Sequence, residues 1–265
     1  MRWGRASSVV RVAALGSVLP ALLLLAAARE VQAVELHVLA AGATESTMRA
    51  MVGIFEREAG TGVKLTYGAV GLLRDKIYAG EPADLTIVTP AIIEQLLAKG
   101  LVRPETRTDV GRVGGGIAVR MGAARPAVGT ADELKQALLA AQEIYYANPA
   151  TATAGAYFLK VADQLGVMDA VKQKGRTGAG GKEAMEMMAR STADAIGLTQ
   201  ISEILSVKEV VLIGPYPGNL QAMTTYTGIM MAKTPHAEAA QAFLRWLKSP
   251  AVQAKFKEAG YEPAP

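Results

Sequence analysis

Ile77-Tyr78-Ala79-Gly80-Glu81-Pro82-Ala83-Asp84-Leu85-Thr86-Ile87-Val88 carries the architecture of this 265-residue chain. It reads as the end of a helix, a Gly stop, a Pro-containing turn and a buried strand. Gly80 supplies the stop, and Pro82 cannot continue a helix. Leu85, Ile87 and Val88 suit a strand covered on both faces. Thr89-Pro90 then opens the next helix, with Thr89 as N-cap and Pro90 at the first helical position. One αβα step of a layered α/β domain follows from these residues alone.

The same grammar recurs outward from that step. Leu36–Ala40 is a strand, Ala41-Gly42-Ala43 a small-residue turn, and Thr44 or Ser46 caps a helix to about Ala59 with Met48, Met51, Val52 and Phe55 inward. Val63–Tyr67 is a strand, followed by Gly68-Ala69-Val70-Gly71 and a helix to Tyr78. A second unit opens with a helix at Gly129, where Thr130 and Glu133 have capping-box spacing. Ile144–Ala147 is its strand, and Asn148–Gly155 a small, polar loop before a helix to Leu165. Ala195–Leu198 and Val210–Gly214 are further strands, Thr224–Met231 returns to the first unit, and two helices close the chain. Right-handed βαβ crossovers gather such loops at the carboxyl edge of a parallel sheet. There, helix N-termini and free N–H groups favour an anion, and small residues let it approach the backbone. Val113-Gly114-Gly115-Gly116 suits either a flexible crossing between two lobes or a bulge. Gly178–Lys182 fails as a phosphate loop, because Arg176 and Glu183 stand where Gly and Ser or Thr are needed.

Composition narrows the function. Arg2, Arg5 and Arg11, the apolar run Val12–Ala28 and the small residues Val31-Gln32-Ala33 read as a secretory leader ending at residue 33. That leader holds four Arg against one Glu, so its removal takes the formal net charge from +4 to +1. Nothing then calls for nucleic acid. Zero Cys excludes a disulfide framework, thiol catalysis and lipid attachment. His37 and His236 are far apart in sequence, and neither is assigned a metal or catalytic role.

Three blocks resemble periplasmic solute-binding proteins of the molybdate-binding type. They are Leu39–Thr44, Gly80–Leu85, and Phe243–Pro250 with Phe256 and Gly260-Tyr261. The resemblance implies an α/β, two-lobed type II binding protein. Each lobe is a mostly parallel sheet flanked by helices, with residues 34–115 and 223–265 in one lobe and 116–222 in the other. It implies a monomer in the periplasm that holds an anion between the lobes, passes it to an ABC permease and needs no cofactor. The implied ligand site comprises Gly42, Ala43, Thr44, Ala69, Val70, Gly71, Thr151, Thr153, Ala154, Lys182, Thr199 and Gln200, with Arg74 as further polar lining. The family's two Ser hydroxyls fall on Gly42 and on Ala69 or Val70, and its Tyr hydroxyl on Gln200. With that hydroxyl set gone, a small organic carboxylate stands beside molybdate or tungstate as ligand. A second function stays open: an enzyme on this scaffold similar to aconitate isomerase, with Lys182, Glu45 or Tyr226 as candidate bases. A transcription-regulator effector domain would need a DNA-binding module, and the sequence contains none.

Overall fold

The computed structural model describes residues 34–264; the secretory leader inferred above lies outside them. The first half alternates β1 (Glu35–Ala41), α1 (Glu45–Ala59), β2 (Gly62–Gly68), α2 (Val70–Tyr78), β3 (Leu85–Val88) and α3 (Pro90–Leu97). β4 (Thr108–Arg120) leads into α4 (Ala131–Ala140), β5 (Glu143–Ala147), α5 (Thr153–Gln164), α6 (Met168–Lys174), β6 (Gly175–Gly178) and α7 (Gly181–Arg190). Next come β7 (Ala195–Gln200), α8 (Ile201–Leu205) and β8 (Val210–Pro215). β9 (Met223–Met230), α9 (Ala237–Leu247), α10 (Pro250–Glu258) and β10 (Tyr261–Glu262) finish the chain.

All four residues of β3 are buried, as its unbroken apolar run requires. β3 lies between parallel β1 and antiparallel β9, with β2 parallel on the far side of β1. Gly80 stops α2 with φ +83°, a conformation that L side chains rarely adopt. In the second half β7, β5 and β6 run parallel. Each half thus has three parallel strands; β9 runs antiparallel to the first set at β3, and β4 antiparallel to the second at β7. Separate apolar clusters fill the two sides. Leu36, Leu85, Ile93, Phe243 and Phe256 belong to the first, and Ile117, Ile144, Phe158 and Leu198 to the second.

β4 belongs to both sheets. Thr108–Gly114 pairs with β9, and Gly115–Val119 pairs with β7. The three central glycines are closely packed. A Cβ on Gly115 would stand 2.6 Å from the Tyr216 ring, and one on Gly116 would meet Ile201, Leu212 and Ile204 within 2.9 Å. Gln221 clamps Gly115 from both sides of its peptide, its amide accepting from Gly115 N–H and donating to Gly115 C=O at 2.9 Å each. The register shifts of β4 lie at Asp109/Gly111 and Ile117/Ala118. Close packing rather than a bulge therefore accounts for Gly114–Gly116, which stand where β4 passes from β9 to β7.

Candidate functional site

Each parallel strand delivers the chain to a helix start at the same sheet edge. β1 feeds the 3-10 turn Gly42–Thr44, β2 feeds α2, β5 feeds α5, β6 feeds α7 and β7 feeds α8. Between the halves these starts enclose a cavity of about 20 Å³. Gly42, Ala43, Ala69 and Val70 line it from the first half; Thr153, Ala154 and Gly180 line it from the second. That volume suits a water-sized guest.

Two further residues face this cavity, Glu203 of α8 and Tyr226 of β9. Glu203 is 7% exposed. Its Oε2 accepts from the Thr199 hydroxyl at 2.5 Å, and the backbone N–H groups of Gln200, Gly181 and Lys182 also reach the carboxyl. Gly181 permits this approach, since a Cβ there would fall 2.0 Å from Oε2. Oε1 lies on the cavity side, 3.6 Å from where a Gly42 Cβ would stand. Burial pushes the Glu203 carboxyl up, against the opposing pull of those donors. Tyr226 is pushed well up by burial, then by the charges of Tyr261 and Glu203, so it stays a neutral phenol.

The direction of the Glu203 shift fixes a stability trend. A carboxyl raised in the folded state keeps a proton that the unfolded chain releases. Stability therefore falls as pH climbs from the ordinary Glu value of 4.5 through the folded value. Glu203→Gln is expected to remove this loss. Thermal melts at about pH 4 and about pH 8 should show the variant gaining on the parent at the higher pH; an equal gap at both pH values refutes the trend. The other ionisable groups around the site are Tyr226, Tyr261 and Lys182, whose ammonium is engaged by Glu45.

Several residues expected to touch a ligand are otherwise occupied. The Thr44 hydroxyl turns back to Ala41 C=O at 2.8 Å and is fully buried. Gly71 N–H donates across the cleft to Thr151 C=O at 2.9 Å, while the Thr151 hydroxyl is buried without a partner. Lys182 also reaches across the cleft, to Glu45 Oε1 at 3.1 Å. Burial pushes the Glu45 carboxyl up, but the Arg49 and Lys182 hydrogen bonds and charges outweigh it and hold it below its ordinary value. Thr199 serves Glu203. Gln200 sits 2.9 Å from the Thr224 hydroxyl, and with its amide nitrogen turned toward β4 it donates to the Gly114 and Val113 carbonyls at 3.0 and 3.2 Å. Arg74 pairs with Asp75 and Gln95 on the surface. The sequence reading missed Glu203. Its one signal was a carboxylate in Ile201-Ser202-Glu203-Ile204-Leu205, a largely apolar turn directly after a strand end.

A larger cavity, about 420 Å³, lies at the opposite edge of the first sheet, with His37, Asp84 and His236 in its wall. The two histidines, unconnected in sequence, meet here. Asp84 accepts from His37 N–H at 2.8 Å and lies 3.2 Å from His236 Nδ1. One helix start, that of α9 capped at His236, borders this cavity, against several around the small central one. The small central one, with its ring of helix starts, is the candidate ligand site. Among the described residues, no group of three or more His, Asp or Glu is arranged for a metal ion.

The chain belongs to the bacterial extracellular solute-binding proteins, whose family model matches residues 36–262. It is 30% identical over 259 residues to an aconitate isomerase of a Pseudomonas species, covering 95% of this chain and 96% of the relative. It is 29% identical over 239 residues to the molybdate-binding protein ModA of Azotobacter vinelandii, covering 87% and 90%. The fold is also that of the solved periplasmic molybdate-binding protein of Azotobacter vinelandii. The TM-score is 0.73 at 21% identity, over 87% of this chain and 100% of that one. The fold is of the type II periplasmic binding-protein class.

Proposed function

We propose that this chain captures a small organic carboxylate between its two halves, in the periplasm, and hands it to the permease of an ABC importer. Residues 34–115 with 223–265 and residues 116–222 are the two lobes that close on it. The observation that carries this reading is the central cavity itself: small residues from both halves, helix N-termini on both sides, and one carboxyl among them. Backbone N–H groups at Gly42–Ala43, Ala69–Val70 and Thr153–Ala154 supply the anion-holding donors. Gly42, Ala69 and Val70 offer no hydroxyls, so a tetrahedral oxyanion finds a thin donor set. A carboxylate finds a better one, because a protonated Glu203 can give it a short O–H···O⁻ bond.

Calorimetry on residues 34–265 tests the choice. Citrate or trans-aconitate is expected to bind at about micromolar Kd, roughly −8 kcal/mol, with molybdate and tungstate at least about tenfold weaker. Tight binding of molybdate with no heat from any carboxylate overturns it.

A second reading is favoured by the 30% identity across almost the whole length of an aconitate isomerase. The same cleft would then interconvert the trans and cis isomers of aconitate as well as bind them. Incubation with trans-aconitate and chromatography for the cis isomer separates carrier from enzyme.

A further inference from the structure

Glu203 has the placement of a reacting group rather than of a structural one. It is nine-tenths buried, and one oxygen is fixed. The Thr199 hydroxyl stands 2.5 Å from Oε2, and the start of α7 surrounds it so closely that Gly181 tolerates no side chain. The other oxygen stands on the cavity side, near Gly42. A carboxyl held by fixed donors and bordering the cavity has a defined direction of attack. Around the same cavity, the N–H-rich starts of α2 and α5 and the Tyr226 phenol are placed to stabilise negative charge growing on a ligand oxygen. A base and oxyanion donors converging on one enclosed point are the parts needed for proton abstraction next to a carboxylate.

We propose that Glu203 is the acid–base residue of this cleft, moving one proton along the three-carbon unit of a bound allylic carboxylate. The inference rests on the carboxylate reading of the ligand. The Glu203 carboxylate takes a proton from the saturated carbon. The C–H electron pair forms a new C=C bond, while the original C=C pair spreads toward the neighbouring carboxylate as a dienolate. The Glu203 acid then returns the proton to the former vinyl carbon. The residue ends as it began, and no oxidant, reductant or metal enters the balance. Burial pushes this carboxyl up while its donors keep the ionised form accessible, which suits a group that must both take and give a proton.

The test uses residues 34–265 in D₂O with the unsaturated tricarboxylate named above. Proton NMR follows deuterium entering the allylic carbons, and calorimetry measures binding on the same samples. The parent is expected to exchange deuterium and form the other isomer. Glu203→Gln is expected to lose exchange by about 10²–10⁴-fold while still giving binding heat, because its amide can donate where the acid did. Glu203→Asp keeps the chemistry but draws the carboxyl back; it is expected to exchange slowly, with a pH profile that still rises through a carboxyl ionisation. Should Glu203→Gln fail to fold, Glu203→Asp carries the test. Exchange by Glu203→Gln at the parent rate overturns the proposal, and so does exchange by Glu203→Asp at the parent rate. Binding with neither deuterium entry nor formation of the other isomer by the parent overturns it and leaves the carrier reading standing. No binding of tricarboxylates by the parent removes both.

Discussion

Gly155→Ala is expected to destabilise the protein by about 3 kcal/mol or more, beyond the ordinary cost of an overpacked core. Gly155 is in the first turn of α5, above the end of β5. A Cβ there would stand 2.0 Å from Ala147 O, 2.8 Å from Ala147 C and 3.0 Å from Pro149 N. Every one of these atoms is main chain, so no side chain can rotate away. The helix must lift from the strand it follows. For a chain of this size the midpoint should fall by roughly 10 °C, at about 2–4 °C per kcal/mol. Because Thr153 and Ala154 lead that turn, ligand heat should fall too. Denaturant melts of parent and variant check the first effect, and calorimetry the second. A stability change under about 1 kcal/mol would mean that the strand–helix contact is looser than drawn.

Asp84→Ala is expected to cost a comparable amount, about 3–5 kcal/mol. Asp84 is buried, and its carboxylate accepts from His37 N–H at 2.8 Å and from the Thr234 hydroxyl at 2.5 Å. Its own N–H donates to His37 C=O at 2.8 Å, and its C=O accepts from Met231 N–H at 2.9 Å. One residue thus ties the start of β1, the entry to β3 and the link from β9 to α9. Alanine keeps the backbone bonds but leaves two donors without their carboxylate, at about 1–3 kcal/mol each. Asp84→Asn retains an acceptor and should lose less. Urea titrations of the three proteins give the comparison; an alanine variant no worse than the asparagine one would refute the account. On this reading the Asp of the Gly80–Leu85 block is a structural tie, remote from the ligand cleft.

The architecture was legible where local chemistry and tertiary demand agree. Leu85–Val88 could only be a covered strand, and the Thr130–Glu133 capping box forms in both directions, at 3.2 and 3.0 Å. β6 was not legible. Gly175-Arg176-Thr177-Gly178 has no apolar pattern, and it is a strand only because β5 offers it a partner along its whole length. In the cleft, glycine and alanine positions could be read because close approach demands small residues. The threonines misled, because their hydroxyls have backbone and carboxyl partners near at hand, as at Thr44 and Thr199. Glu203 was nearly hidden because α8 has five residues, too few for a periodic face. The meeting of His37 and His236 at Asp84 depends on a contact between residues about 150 positions apart in the chain, which neither local pattern announces.

The strand that serves both sheets also governs how this molecule comes apart. A gene fragment encoding only one half would leave β4 with a bare ladder of unpaired amides and carbonyls, an invitation to aggregation. Neither half is a portable module, and melting should proceed as one transition instead of two.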